Sequence, residues 1–389
     1  MDPLQFRYIN AIKPGNLSPS QVEITESNAG NLQKCIEKLR TLINYNEGNV
    51  IKIDDNKIRA KGISCLWKTP NPPANASAGA VITFNTDGSI NLNVGIVEIG
   101  SASKSQMAVM LAEKLKMDYS RIFVELDVNT KITPEYWKTV ASLSSYLAGR
   151  AVMNAADDLI NQLKSNASIA LRVPVEDLDY GDEKIFLKSN PKFCIGFQDL
   201  AYGVQYPDGN VVGNQIIGRG SYIVNHISTL SDDTGKGKVG HSWTVGAQAV
   251  EIEIDLDNYS YRLIKAASVI DVGKLIDARH AVGIIQGGMS MGLSLASREE
   301  FIYDNDGILL DTSLRTYKLL HIGQEPKYLV DFVETPQMDS PYGTRAYSEH
   351  GIIGMPAALG NALTLATNIQ LDELPITPET IYRNARLER

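Results

Sequence analysis

The chain has 389 residues, of which 43% are hydrophobic and 21% are charged, and its formal net charge is -8 at pH 7. This length and composition are typical of a globular protein with sizeable cores. The acidic balance argues against nucleic acid as the main partner, because phosphate binding requires a basic surface.

The cysteines and the hydropathy pattern bear on the cellular compartment in which the protein is expected. Cys35, Cys65 and Cys194 are odd in number and far apart, which excludes a CxxC-type metal site and favours a reducing environment. No apolar run approaches the roughly 18 residues of a membrane span, and the first residues do not resemble a signal peptide. We therefore expect a cytoplasmic protein with no membrane contact.

The first part of the chain predicts a helical arm over residues 1–57, with a helix near Asn31–Leu42. A first α+β lobe follows over residues 58–170. Its elements are a hairpin of Ala80–Phe84 and Ile90–Val94 around an Asn-Thr-Asp-Gly turn, a helix over Ser103–Lys116, a strand over Ile122–Leu126 and a long helix over Ser142–Leu163.

A second α+β lobe is predicted over residues 171–389, and residues 171–240 read as loop-rich. The pattern beyond them predicts strands at Gln248–Ile254, Arg262–Val269, Glu300–Tyr303, Thr316–Leu319 and Tyr328–Phe332, a Gly-rich helix over Arg279–Ala296 and a closing helix. The expected fold is α+β, built from two similar hairpin-plus-helix lobes. The chain contains no phosphate loop and no Gly-x-Gly-x-x-Gly after a strand, so nucleotide binding by those routes is not expected.

Three turns rich in small residues are candidates for binding an anionic ligand. Small residues let backbone N–H groups approach a ligand, and hydroxyls at a helix start add donors; helix capping or tight helix packing is the alternative for each. The residues concerned are Gly100, Ser101 and Ala102 in the first turn, Val140, Ala141, Ser142 and Ser144 in the second, and Gly283 and Gln286 in the third.

The run Tyr342–Leu359, YGTRAYSEHGIIGMPAAL, sets one carboxylate in a turn ahead of a segment with helical character. A partly desolvated carboxylate on such a turn is suited to be a general base, so Glu349 is the candidate catalytic residue. The alternative is a carboxylate that caps an ordinary helix. The five histidines show no metal-ligand spacing, and no metal site made of protein side chains is expected.

Several segments in order resemble the second half of the molybdenum-binding subunit of the xanthine dehydrogenase, aldehyde oxidase and carbon monoxide dehydrogenase family. The resemblance extends from the first residue to the last helix. The segments that carry it are Met1–Arg7 with Asn10–Gly15, Thr83–Gly100, Asp127–Thr130 with Thr133 and Pro134, Ala247–Asp255 with Asp271–Gly273, and the run around Glu349.

The resemblance implies a molybdenum hydroxylase component that oxidises an N-heterocycle of purine type or an aldehyde, with water as the oxygen source. Glu349 would be the general base, and the three turns would contact molybdopterin, in the cytosine dinucleotide form that bacterial members favour. FAD and iron–sulfur clusters would be carried only by partner subunits. The family's first half is not part of this chain, so a first-half molybdenum subunit is implied as a further partner, for a natural split subunit or for a fragment cut at the linker.

Departures from the family pattern support a second hypothesis. Gly100-Ser101-Ala102 stands where the family usually has Gly-Gln-Gly, Ser348 stands where it usually has Gly, and Ile284 and Met291 stand where glutamines are common. A glutamine amide supplies donors and an acceptor that isoleucine lacks. The alternative is therefore a non-catalytic paralogue that binds partner subunits or the pterin without turnover.

Overall fold

The computed structural model describes residues 1–387 and divides the chain into two compact units. Unit 1 contains Met1–Thr69, Ser242–Gln337 and Tyr347–Arg389, and unit 2 contains Pro70–His241 and Met338–Ala346. Both units are therefore built from segments that are far apart in the sequence.

The helices are distributed over both units. In chain order they are α1 (Pro3–Ile9), α2 (Leu32–Leu42), α3 (Ser103–Leu115), α4 (Ser144–Leu171), α5 (Phe197–Leu200), α6 (Ala278–Ser297), α7 (Leu314–Tyr317), α8 (His350–Ile353), α9 (Met355–Thr367) and α10 (Pro378–Leu387).

The strands form separate sheets in the two units. In chain order they are β1 (Val50–Lys52), β2 (Lys57–Lys68), β3 (Ser77–Phe84), β4 (Ile90–Val94), β5 (Ile122–Val124), β6 (Leu178–Gly181), β7 (Lys184–Leu187), β8 (Asn190–Gly196), β9 (Tyr202–Gln205), β10 (Val211–Gln215), β11 (Ile217–Ile223), β12 (Thr244–Asp255), β13 (Tyr261–Asp271) and β14 (Lys327–Val333).

Unit 1 is organised around a sheet of order β1-β2-β12-β13-β14, in which only the β13–β14 pair is parallel. Residues of α2 pack with Val245, Ala247 and Ala249 on one face, and residues of α6 and α9 pack with Val250 and Ile252 in a second core cluster. Because both faces are covered, β12 is buried almost throughout and its sequence is nearly continuously apolar.

Unit 2 is organised around a sheet of order β11-β3-β4-β5, in which the β4–β5 pair is parallel. Strand β3 alternates between buried and half-buried residues, as expected for a sheet covered by helices on one face. The β3–β4 turn contains Gly88 at φ 80°, a conformation that favours glycine. Two smaller sheets, β6-β7-β8 and β10-β9, complete the unit.

Most predicted elements are confirmed, including the β3–β4 and β12–β13 hairpins and helices α2, α3 and α6. The strands predicted at Glu300–Tyr303 and Thr316–Leu319 are wrong. The first is irregular apart from one bridge at Tyr303, and the second overlaps helix α7. Residues 171–240 are also more regular than expected, because they contain β6 to β11.

The predicted boundaries after residues 57 and 170 differ from the division of the structure. Residues 58–69 were assigned to the first lobe, but most of them form strand β2, which pairs along its whole length with β12 and so belongs to unit 1. Residues 171–241 were assigned to the second lobe, yet β11 pairs with β3 in unit 2. Both pairings join strands more than 100 residues apart, and local periodicity carries no information about them.

Candidate functional site

The first small-residue turn leads into α3 in unit 2, and its backbone N–H groups already have an acceptor. Oε1 of Glu98 accepts hydrogen bonds from the N–H groups of Gly100 and Ala102, both at 2.9 Å, and Oε2 accepts from the N–H of Lys104 at 3.3 Å. The turn therefore binds an anion, as its composition predicts, but that anion is a carboxylate of the same chain.

Backbone strain marks the same turn. Ala102 adopts φ 54°, a left-handed conformation that costs an alanine free energy relative to glycine. A Cβ added at Gly100 would meet no atom within 4 Å, so the backbone there is open on its outer side. The Ser101 and Ser103 hydroxyl groups lie 2.5 Å apart and supply additional polar atoms.

The second turn precedes α4 in the same unit and lies against the first. Ala141 and Ser142 are consecutive left-handed residues, at φ 54° and 58°. The N–H of Val97 donates to Oγ1 of Thr139 at 3.0 Å, and the Ser145 hydroxyl donates to Oε1 of Gln106 at 2.9 Å. The structure thus brings Gly100–Ala102 and Val140–Ser144 together at the adjoining starts of α3 and α4.

The third stretch is not at a helix start. Helix α6 begins at Ala278 and is capped by Asp277, whose side chain accepts from the N–H of His280 at 3.1 Å. Gly283 and Gln286 lie inside α6, so the expectation of a helix-start site is wrong there. A Cβ at Gly283 would meet no atom within 4 Å, which leaves this face of the helix open.

Helix α6 packs closely on the segment that follows Glu349. A Cβ at Gly351 would lie 2.5 Å from the Ile285 carbonyl oxygen, and a Cβ at Gly288 would lie 2.9 Å from the Gly351 Cα. Only glycine permits this approach. Unit 1 therefore brings the helix that carries Gly283 and Gln286 against α8.

Glu349 lies immediately before α8, and its side chain makes no capping hydrogen bond to that helix. Its carboxylate instead forms an ion pair with the ammonium group of Lys68, the last residue of β2. The Glu349 side chain is 46% exposed and that of Lys68 is 25% exposed. The Glu349 carboxylate therefore does not cap α8, and it is accessible to solvent rather than buried.

His350, the next residue, lies in the core and is 1% exposed. Burial lowers the pKa of its imidazole to about 3, and the positive charge of Lys68 acts in the same direction. His350 is therefore neutral at physiological pH, and it anchors the turn from which Glu349 projects.

Two charged residues that contact the candidate segments, one in each unit, were not predicted from the sequence. Lys68 could not be found, since it is 281 residues from Glu349 and nothing local connects them. The contact of Glu98 could have been predicted from the sequence, because Glu98 lies two residues before Gly100 and a carboxylate at that position reaches the N–H groups of a tight turn. Among residues 1–387 no cluster of three His, Cys, Asp or Glu side chains could hold a metal ion. No helix formed by these residues is both long and apolar enough to cross a membrane.

Comparison with known proteins identifies the family. Residues 38–326 match the molybdopterin cofactor-binding domain, so the chain belongs to this family. It is 28% identical over 393 residues to the xanthine dehydrogenase molybdenum-binding subunit of Escherichia coli O157:H7, a match that covers 100% of this chain and 50% of that relative. It is 26% identical to the nicotine 6-hydroxylase large subunit of Paenarthrobacter nicotinovorans, over 78% of this chain and 36% of the relative.

Solved structures show the same fold. Quinoline 2-oxidoreductase from Pseudomonas putida 86 superimposes with a TM-score of 0.84 at 19% identity, over 99% of this chain and 50% of that one. The Cu,Mo-CO dehydrogenase gives a TM-score of 0.82 at 20% identity. The mixed α+β fold and the resemblance to molybdenum-binding subunits are thereby confirmed, and the chain spans about half the length of the curated relatives it matches first.

Proposed function

We propose that this chain is the part of a molybdenum hydroxylase that carries the general base, Glu349, for oxidation of an N-heterocycle or an aldehyde with water as the oxygen source. The single observation that carries the proposal is the accessible Glu349 carboxylate, on a turn held between the buried His350 and Lys68. The N-heterocyclic substrate class is supported by the names of relatives, which include a xanthine dehydrogenase subunit and a nicotine 6-hydroxylase subunit.

The proposed cofactor is molybdopterin in its cytosine dinucleotide form, and when bound it would supply the two-electron oxidant. The resemblance proposes Gly100, Ser101, Ala102, Val140, Ala141, Ser142 and Ser144 as its contacts within unit 2. Within unit 1, taken separately, it proposes Gly283 and Gln286. The donor set fits an anionic pterin, because it consists of hydroxyl and amide groups beside backbone left open at Gly100 and Gly283. Glu98 already occupies the N–H groups of the first turn, so contacts there would come from the serine hydroxyls.

In this proposal Glu349 accepts the proton that the oxygen nucleophile loses as it attacks the substrate carbon. A general base must lie within hydrogen-bond reach of that proton. Lys68 holds the carboxylate before substrate arrives, so the ion pair must lengthen or open for Glu349 to act. The partly exposed position of both side chains makes that exchange with a ligand possible without rearrangement of the core.

The proposed partners are a first-half molybdenum subunit, an iron–sulfur subunit and an FAD subunit, with a small-molecule substrate, in the cytoplasm. The partial coverage of the relatives supports partner subunits, because the chain matches only half of a molybdenum-binding subunit. The charge of -8 gives no support for a nucleic-acid partner.

We also propose that the two units share one plan. In unit 2 the hairpin β3–β4 is followed by α3, by β5 parallel to β4 and by α4, and β11 flanks β3. In unit 1 the hairpin β12–β13 is followed by α6, by β14 parallel to β13 and by α9, and β2 flanks β12. The matching strand orders support this interpretation.

A second candidate function is a non-catalytic paralogue that binds partner subunits or the pterin without turnover. Two observations favour it. Lys68 forms an ion pair with the Glu349 carboxylate, and Glu98 accepts hydrogen bonds from the N–H groups of the first turn. In that case both contacts would be permanent features of the fold.

Molybdenum analysis of the complex, co-expressed with partner subunits, separates the two functions. The hydroxylase proposal predicts stoichiometric molybdenum and turnover of an N-heterocycle or aldehyde. A complex that assembles with stoichiometric metal-free pterin, or with neither metal nor turnover, would instead support the paralogue.

A further inference from the structure

Three polar side chains lie side by side in the middle of the unit-1 sheet. Gln248 of β12 pairs in register with Ser64 of β2 on one side and with Ser268 of β13 on the other. Gln248 and Ser268 are fully buried and Ser64 is 5% exposed. Buried amides persist only where their hydrogen bonds are made, so the partners of Gln248 indicate its role.

Gln248 directs its amide at the segment just after Glu349. Its Nε2 donates to the carbonyl oxygens of Gly351 at 2.9 Å and His350 at 3.2 Å, and to the Ser268 hydroxyl at 3.0 Å. Its Oε1 accepts from the N–H of Gly354 at 2.7 Å. One side chain thus binds both backbone donors and acceptors of this segment.

The backbone between α8 and α9 has polar groups that helical hydrogen bonds do not satisfy. Helix α8 ends at Ile353 and α9 begins at Met355, so the junction has carbonyl and N–H groups outside continuous helix. Ser64 adds a hydrogen bond from its hydroxyl to the Gly354 carbonyl oxygen at 2.8 Å. A Cβ at Gly354 would lie 2.5 Å from Oε1 of Gln248, so the glycine is required by the approach of the amide.

We propose that Gln248 is a positioning residue for Glu349, acting through the backbone of residues 350–354. The inference rests on the proposed function, since it concerns the placement of the proposed base. Gln248 does not touch the reacting atoms. It ties the turn to the rigid centre of the sheet, and a displacement of a catalytic group by about 1 Å can reduce the rate by about 100-fold.

The test is Gln248→Met in the full complex with its partner subunits, because methionine keeps the shape and removes the hydrogen bonds. We expect kcat to fall at least tenfold, KM to stay within twofold and molybdenum content to be unchanged. Hydrogen exchange of the peptide containing Gly354 should accelerate at least tenfold, and this readout is independent of activity.

Asn166→Leu is the matched control. Asn166 of α4 is a buried amide that donates to the carbonyl oxygens of Leu200 and Asn214, at 3.1 and 2.8 Å, and its Oδ1 lies 2.5 Å from the position of a Cβ at Gly213. It therefore ties the glycine-containing strand β10 to α4 in unit 2, as Gln248 ties a glycine-containing segment to the sheet in unit 1. We expect this variant to lose stability while its kcat stays within twofold of the wild-type value.

A Glu349→Gln variant measured in the same complex tests the proposed function separately from the positioning role of Gln248. If Glu349→Gln retains turnover, the proposed function is wrong and the positioning role is wrong with it. If Glu349→Gln is inactive while Gln248→Met retains kcat within twofold, only the positioning role is overturned. If Gln248→Met does not assemble, Ser64→Ala decides: a two- to fivefold lower kcat at unchanged KM supports the inference, and an unchanged kcat overturns it.

Discussion

The two units place a long helix on their main sheet by the same device. In unit 2, a Cβ at Gly220 of β11 would collide with the Ala151 carbonyl oxygen and the Ala155 nitrogen of α4. In unit 1, a Cβ at Gly62 of β2 would collide with the equivalent pair of α9, the Ala358 oxygen and the Ala362 nitrogen. In both, a glycine on the strand faces two alanines one helical turn apart, so the backbones approach directly.

The units differ in what precedes that helix. Helix α4 follows a turn of small residues in which Ala141 and Ser142 are left-handed. Helix α9 follows the short helix α8 and a turn that carries Glu349, anchored by the buried His350. The helix thus follows a small-residue, hydroxyl-bearing turn in unit 2 and a carboxylate-bearing turn in unit 1, which are the two kinds of segment that the proposed function requires.

The largest expected effect concerns the shared packing. Gly62→Ala and Gly220→Ala should each destabilise the protein by about 3 kcal/mol, because the added methyl meets backbone atoms that cannot move independently. Urea denaturation measures this. Gly283→Ala is the control, because it adds a methyl to an open face of α6 and should be neutral or stabilising by up to about 1 kcal/mol. If Gly62→Ala is tolerated while Gly220→Ala is strongly destabilising, the two glycines do not play the same packing role in their units.

A smaller effect concerns pH, and each unit has one buried histidine. Burial lowers the pKa of His350 to about 3 and the pKa of His241 to about 4. The negative charge of Asp339 opposes the lowering of the His241 pKa but does not outweigh it. Unfolded histidine titrates near pH 6.5. The unfolded state therefore binds protons that the folded state does not, and stability should fall as the pH drops below about 6.5.

At pH 5 this loss should reach about 2 kcal/mol for each histidine. His350→Leu should remove the unit-1 contribution and flatten the dependence between pH 7 and 5, while substitution of the exposed His321 by Gln should leave it unchanged. Denaturant titrations at several pH values are the measurement. An unaltered slope for His350→Leu would contradict the burial of a neutral imidazole at this turn.

The smallest expected effect concerns strain in the first turn of unit 2. Ala102→Gly should stabilise the protein by about 1 kcal/mol, because glycine adopts φ 54° without the steric cost that alanine bears. Thermal or urea unfolding detects a change of this size. A destabilised glycine variant would show that the methyl group of Ala102 contributes packing that outweighs the strain.

Local pattern predicted the elements of this fold better than their arrangement. Helices α3 and α6 and the two hairpins follow from apolar periodicity and from turn residues such as Asp87 and Gly88, which act over a few positions. Strand β2 was missed because its role depends on pairing with β12, nearly 190 residues away. The same limit explains why the chain was divided into consecutive lobes rather than discontinuous units.

Small residues and one isolated carboxylate led to the prediction of the Glu349 turn in unit 1 and of two turns in unit 2 as candidate functional segments, and their roles stay predictions. The sequence did not indicate that Glu98 fills the first turn, since the N–H groups were read as available to a ligand. It could not indicate Lys68 or Gln248, because their contacts with residues 349–354 exist only once the sheet of unit 1 has formed.

Glu349 is proposed to remove a proton during substrate oxidation, so the rate at which substrate reduces the cofactor should depend on this carboxylate. Wild-type and Glu349→Gln complexes of equal molybdenum content would be mixed anaerobically with substrate, and Glu300→Gln, a change at an exposed carboxylate, would be the control. We expect a rate of cofactor reduction at least 100-fold lower for Glu349→Gln and an unchanged rate for Glu300→Gln. A Glu349→Gln complex that is reduced within tenfold of the wild-type rate would contradict this proposal.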